Sequence, residues 1–151
     1  YYIVWKREFY MEKILLTIKS QVEKIGEPPE SIEFFTEGEK EILNGEIRLR
    51  FFDSPLVEFS NNATLLSIQD SRVAIEHQAD DYYSRFDFVM GQSFQGNYTT
   101  AYGSEQVTIL PVRVQHAVYQ NGGCVELYYK IDMHNENWFS RYIVNYRNLN
   151  S

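Results

Sequence analysis

The sequence predicts an all-β protein, built as a single closed or nearly closed antiparallel barrel of eight to ten strands. Apolar and polar residues alternate with a period of two along most of the chain, which is the pattern of a strand with one buried face. Turn-forming residues interrupt this alternation at short, regular intervals. Aromatic residues make up 16% of the chain, and aromatics favour pleated, half-buried surfaces.

The first three strands show the pattern most directly. Alternation over residues 14–22 predicts a long strand, which residues 26–29 end because their two prolines donate no hydrogen bond to a ladder. A second strand is predicted around 32–36. Asn44-Gly45 then predicts a tight hairpin, since both residues tolerate a positive φ, and alternation over 47–51 forms the returning strand.

The rest of the chain continues in the same way, with no helical periodicity. Further strands are predicted at residues 63–68, 72–78, 84–90, 98–102, 107–119, 125–133 and 138–146. Within 107–119 we expect Val112, Val114, His116 and Val118 to share one face. Short turns rich in Asn, Asp and Gly separate these segments, and antiparallel neighbours joined by such turns predict a sandwich or a barrel.

Charge and composition exclude several classes of function. The formal net charge is −7 and no run of Lys and Arg is longer than Lys6-Arg7, so we expect neither nucleic-acid binding nor attachment to an anionic membrane. Cys124 is the only cysteine, which precludes an internal disulfide and fits a reducing compartment. With no secretory signal and no apolar stretch of membrane-spanning length, we expect a cytoplasmic protein.

The chain length of 151 residues suits one domain. We assign the barrel to residues 11–151 and treat residues 1–10 as an N-terminal extension. This aromatic extension is either a leader upstream of a natural start at Met11 or an added edge strand.

Several short segments carry a resemblance to a known family, through their order and spacing between Ile14 and Arg147. They are Ile18-Lys19-Ser20, Ile32-Glu33-Phe34, Thr36-Glu37-Gly38, Ile47–Phe52 and Asp132-Met133-His134, together with the turn Thr100-Ala101-Tyr102-Gly103. In this order they resemble the YwiB-like family of bacterial proteins, in which the turn reads Thr-Pro-aromatic-Gly; here Ala101 replaces the proline. The resemblance implies a calycin-like (lipocalin-like) β-barrel. It implies no established reaction, so no catalytic residue is carried over.

Four inward-phase polar residues are candidates for a ligand site. His77 and His116 each lie in phase with an apolar strand face, so two imidazoles facing one cavity could bind a metal, a haem or an anionic ligand. The hydroxyls of Tyr129 and Tyr142 could orient a ligand in an apolar pocket. The plainer interpretation, which we favour, is that each histidine and tyrosine is a core residue whose polar atom finds one hydrogen-bond partner.

No sequence pattern of a nucleotide loop, a nucleophile elbow or a zinc protease is present, so we assign no catalytic residue, cofactor or metal. Three functions remain open. The first is a barrel that holds a small apolar or amphipathic ligand. The second is a protein-interaction or assembly module whose barrel is filled by its own side chains, with a homodimer formed through a strand edge or an aromatic patch such as Phe51-Phe52 or Tyr82-Tyr83. The third is an enzyme using His116 or His77.

The first two functions differ in whether the barrel has free space inside. An eight-stranded barrel is just wide enough to be filled by side chains or to hold one small ligand. The inward-phase residues are bulky: Phe34, Phe51, Phe86, Phe88, Leu127, Tyr129, Met133 and Tyr142.

Overall fold

The computed structural model describes residues 11–52, 63–79, 83–100, 103–133 and 136–149, so the extension predicted at residues 1–10 lies outside it. These residues form ten antiparallel strands in a closed barrel, in which each strand pairs with its neighbours in the chain and β1 pairs with β10. The strands are β1 Glu12–Lys24, β2 Glu30–Leu43, β3 Glu46–Phe52, β4 Ala63–Gln69, β5 Arg72–Gln78, β6 Tyr83–Val89, β7 Phe94–Thr100, β8 Gly103–Tyr119, β9 Gly122–Met133 and β10 Glu136–Asn148. The predicted all-β antiparallel barrel is confirmed.

Strand length divides the barrel into two parts. The adjacent strands β8, β9, β10, β1 and β2 contain between 12 and 17 residues, and we call them the long wall. Strands β3 to β7 contain 7 residues each and form the short wall. Within the short wall, β6 and β7 share only the register pairs Tyr83–Thr99 and Ser84–Tyr98, so the ladder is thinnest there.

The mismatch in length leaves two strand edges open. β3 pairs with β2 from Gly38 onward, so within the described chain Glu30–Glu37 pairs with β1 alone. β7 pairs with β8 only as far as Ile109, so Leu110–Tyr119 likewise pairs with β9 alone among the described residues. We call these segments the β2 edge and the β8 edge.

Tight turns connect the strands at one end of the barrel, which we call the hairpin end. Asn44 and Gly45 have φ values of 54° and 79°, as the predicted hairpin between β2 and β3 requires. The turns from β4 to β5, β6 to β7 and β8 to β9 lie at the same end, with the start of β1 and the end of β10. Among the described residues, no helix has the length and apolar character needed to cross a membrane.

One apolar core fills the middle of the barrel. Residues from both walls, among them Leu16, Leu66 and Leu127, are fully buried, so their side chains touch no space that water can enter. Phe88 of β6 meets Tyr129 of β9 with ring centroids 4.8 Å apart, although β7 and β8 separate these strands along the wall. All eight bulky residues predicted to point inward belong to this core or pack against it.

The structure corrects two local predictions. A bulge between Pro111 and Arg113 shifts the phase of β8, so Val112 is exposed and does not share the inner face with Val114 and His116. An alternation pattern cannot reveal the extra residue of a bulge, because apolar residues lie on both sides of it. β7 begins at Phe94 and not at Tyr98, since its pairing with β8 starts there, and residues 101 and 102 of the predicted strand lie outside the described residues.

Candidate functional site

Polar side chains gather inside the hairpin end of the barrel, and all of them come from the long wall. We call them the mouth cluster: Glu12 of β1, Lys40 of β2, His116 of β8, and Tyr146 and Asn148 of β10. Each lies in the same phase as the buried apolar residues of its strand, so strand alternation turns all five towards the interior.

Lys40 is the central residue of the mouth cluster. Only 8% of its surface is exposed, and it is the one charged residue among the buried residues that the structure describes. Its Nζ donates a hydrogen bond of 2.9 Å to Oδ1 of Asn148 and lies 3.6 Å from Oε2 of Glu12. The same ammonium is 6.0 Å from the ring centroid of Tyr146. Burial of this charge is tolerated because it is paired and hydrogen-bonded.

His116 and Tyr146 form the second half of the cluster. Nε2 of His116 and the hydroxyl of Tyr146 are 2.9 Å apart, and the two rings stack with centroids separated by 6.2 Å. Burial lowers the pKa of His116, which disfavours its charged form. Burial, with a smaller contribution from the neighbouring Cys124, raises the pKa of Tyr146 to about 12. Both groups are therefore neutral near pH 7.

A glycine in β9 makes room for this pair. A Cβ at Gly123 would lie 2.4 Å from the hydroxyl oxygen of Tyr146 and 2.7 Å from the carbonyl oxygen of Ala117. No real Cβ tolerates such contacts with a ring and a backbone atom. The absence of a side chain at Gly123 therefore allows Tyr146 to lie flat across β9 and reach His116 on β8.

Apolar residues surround the cluster at the rim. Ile42 and Val118 lie two residues further along β2 and β8 than Lys40 and His116, in the same inward phase, yet both are exposed. They are exposed because β8 extends beyond β7 here and β2 approaches its hairpin. Small-molecule sites combine apolar lining residues with a few placed polar groups, and this end of the barrel has both.

A second polar group lies in the short wall. Thr64, His77 and Ser84 are direct cross-strand neighbours on β4, β5 and β6, and we call them the polar row. Oγ1 of Thr64 is 2.9 Å from Nδ1 of His77, and Oγ of Ser84 is buried without a hydrogen-bond partner. Thr64 and Ser84 have 0% and 1% exposure, so no water-sized space adjoins them, whereas His77 is partly exposed.

The structure separates the four predicted ligand-site residues. His77 and His116 lie on β5 and β8 and contact different partners, Thr64 and Tyr146. They do not face one common cavity. In the described part of the chain, no three His, Cys, Asp or Glu side chains are grouped closely enough to hold a metal ion.

The two predicted tyrosines are part of the core. Tyr129 packs against Phe88 and makes a hydrogen bond with Ser140 directly across the ladder. Burial raises the pKa of Tyr129, and the bond with Ser140 partly opposes that rise. Tyr142 packs against the core beside Leu127. Both tyrosines therefore pack against the apolar core.

Sequence reasoning overlooked Lys40, although a signal for it was present. Lys40 lies in the acidic run Glu37–Glu41, whose composition indicates a solvated surface. Its even-numbered phase is nevertheless shared with Phe34 and Thr36, which point inward. Applying the period of two strictly through the charged run would have placed Lys40 inside the barrel.

The predicted aromatic patches are only partly exposed. Phe51 is buried while Phe52 is exposed, because successive residues of a strand point to opposite faces. Tyr83 is exposed, and Tyr82 lies outside the described residues. A groove of about 500 Å³ runs along the outside of the barrel beside Phe52, lined also by Lys13, Glu37 and Arg50.

Comparison with known proteins agrees with this architecture. The sequence model of a family described as "Domain of unknown function (DUF1934)" matches residues 16–145, most of the chain. The chain belongs to this family. The crystal structure of the ywiB protein from Bacillus subtilis superposes with a TM-score of 0.80 at 18% identity, over 92% of this chain and 93% of that chain. At this identity the likeness shows the fold alone. It confirms the predicted resemblance to YwiB-like barrels. No curated protein matches the chain.

Proposed function

We propose that the barrel binds a small amphipathic ligand through an anionic head group at the mouth cluster. The observation that carries the proposal is Lys40, the one charged residue among the buried residues of the described chain, held inside one end of a barrel whose core is mainly apolar. Burying an ammonium costs free energy, and an exposed lysine would serve solubility equally well. Its position therefore favours a role in recognising negative charge.

The head group has a place to bind because the present counter-charge lies near the surface. Glu12 approaches Lys40 at 3.6 Å, but its side chain is 45% exposed and belongs to the first residue of β1. A carboxylate brought by a ligand could replace that of Glu12 and accept a charge-assisted hydrogen bond from Lys40. The half-buried ring of His116 offers a further polar contact.

The apolar part of the ligand would lie against Ile42 and Val118 at the rim. The core beneath the cluster is closed, since Ile14, Leu49 and Val125 are fully buried. We therefore expect the ligand to lie in the mouth of the barrel and not to be enclosed in its middle. A short chain fits this geometry better than a long one.

Titration calorimetry with octanoate and its uncharged counterpart octanol tests the head-group preference. We expect octanoate to bind more tightly than octanol by roughly 10- to 150-fold, which corresponds to about 1.5–3 kcal/mol for a hydrogen bond to a charged group. Lys40→Met should abolish this preference. Lys19→Met, which removes an exposed outward lysine of β1, should leave it intact. Equal binding of both probes to the wild-type protein would refute the proposal.

Glu12→Gln provides a test with the opposite sign. If a ligand carboxylate competes with Glu12 for Lys40, removing the charge of Glu12 should increase octanoate affinity several-fold. If the ion pair between Glu12 and Lys40 is purely structural, Glu12→Gln should bring no gain in octanoate affinity and only a loss of stability. Unchanged or weakened octanoate binding by this variant would contradict the exchange at Lys40.

A further inference from the structure

We infer that the β8 edge pairs with the β8 edge of a second copy of this chain, forming a symmetric dimer. The inference rests on the backbone edge of β8 and not on ligand binding, although Val118 belongs both to this edge and to the rim of the proposed ligand site. Leu110–Tyr119 pairs with β9 on one side alone in the described chain, so no described strand pairs with the backbone donors and acceptors on its other side. Such an edge is a template for another strand unless the sequence protects it.

The β8 edge lacks the usual protection. From Val114 to Tyr119 it contains no charged residue, and its proline and its bulge lie at the beginning, at Pro111. Exposed apolar side chains accompany the unpaired backbone, with Val118 at 65% exposure and both Val112 and Tyr119 also exposed. In a monomer, no strand of the described part of the chain covers these groups.

The β2 edge differs from the β8 edge in charge, and this difference selects the partner. Glu30, Glu33 and Glu37 lie along the β2 edge, so pairing two copies there would bring six carboxylates, three from each copy, into one short ladder. Like charges facing each other across a ladder are destabilising. The net charge of −7 adds a general repulsion between copies. Pairing is therefore favoured at the edge that adds no further negative charge, which is the β8 edge.

Antiparallel self-pairing of the β8 edge satisfies both copies at once. Paired residues share a face of the sheet, so a two-fold axis passes through a residue near the middle of the edge, such as Gln115. That axis places Arg113 opposite Ala117 of the second copy and Val114 opposite His116, and all of these residues lie beyond the bulge. Arg113 therefore does not face Arg113 of the second copy, and each of these pairs occurs twice by symmetry.

Sedimentation velocity on the full chain tests the dimer through matched variants of the two edges. The wild-type protein should sediment at twice the chain mass. Val118→Lys adds a charge to the uncharged part of the β8 edge, close to Arg113 of the second copy, and it should return the protein to monomer. Ile32→Lys adds the same side chain to the β2 edge, where Ile32 is 66% exposed, and it should remain dimeric. Because both sites are exposed, circular dichroism should show an intact fold in each variant.

Three results would overturn the inference. One is a wild-type monomer at the highest soluble concentration. The second is a dimer that survives Val118→Lys. The third is equal loss of the dimer in both variants, which would indicate a general charge effect and not pairing at the β8 edge. The measurement uses no ligand, so its outcome is independent of binding at the mouth cluster.

Discussion

The long wall and the short wall contribute to the same core but differ in the polar side chains that they place inside the barrel and in their open strand edges. The whole mouth cluster and both open edges belong to long strands, whereas the polar row belongs to short ones. Where strands are short and matched, their neighbours bury the hydroxyls of Thr64 and Ser84 and leave only His77 partly exposed. Where strands extend past their neighbours, inward-facing residues reach solvent and edges lose their partners. Excess strand length thus creates the accessible surface.

The largest expected effect tests whether the two walls form one cooperative unit. Leu127→Ala in the long wall and Leu66→Ala in the short wall each remove a fully buried side chain, and each should lower the free energy of unfolding by about 2–5 kcal/mol. Urea denaturation followed by fluorescence and by circular dichroism should give coincident single transitions for both variants. A second transition in the Leu66→Ala variant would show that the short wall unfolds separately across the thin β6–β7 ladder.

A smaller effect compares two buried serines, one in each wall. Ser140 in the long wall has a hydrogen-bond partner in Tyr129, and Ser140→Ala should cost about 1 kcal/mol of unfolding free energy. Ser84 in the short wall has no partner, and Ser84→Ala should leave stability unchanged or raise it by roughly 1 kcal/mol. Thermal unfolding of the two variants side by side measures the difference. A clear loss in Ser84→Ala would mean that its hydroxyl makes a bond in solution.

The smallest effect is a change in pH dependence at the mouth cluster. Burial lowers the pKa of His116 in the folded state, so the unfolded chain binds more protons between that lowered pKa and 6.5. The stability that neutral His116 contributes is fully present above pH 6.5 and is lost as the pH falls through this interval. His116→Gln should therefore show a shallower decline than the wild-type protein when unfolding free energies are measured across it. Parallel curves of unfolding free energy against pH for the two proteins would contradict a lowered pKa of His116.

Much of the architecture was predictable because alternation is a local property. The inward phase of Ile14, Leu16 and Ile18, and the hairpin at Asn44-Gly45, follow from residue types alone. The inward position of His116 followed in the same way, although its partner Tyr146 lies on a different strand and could not be identified locally.

The remaining features depend on register and strand length, which residue patterns do not encode. β1 pairs with β2 on one side and with β10 on the other. Lys40 near the end of β2 therefore lies across β1 from Asn148 at the end of β10, and only this arrangement lets the two side chains meet. Ile32 has an inward phase but is exposed, because β3 ends before reaching it. The separation of His77 from His116 likewise depends on how many strands lie between them around the barrel.

The pairing of β1 with β10 has a consequence for how the chain is made. Every other ladder of the described chain joins strands that follow one another in the sequence, whereas this one joins the first described strand to the last through eleven residue pairs. A chain emerging from the ribosome can form successive hairpins as it grows, but it cannot close the cylinder until β10 has been synthesised. Until then both terminal strands of the growing sheet have exposed backbone edges. Ring closure is therefore the late step of folding, in which the aggregation-prone sheet becomes a barrel.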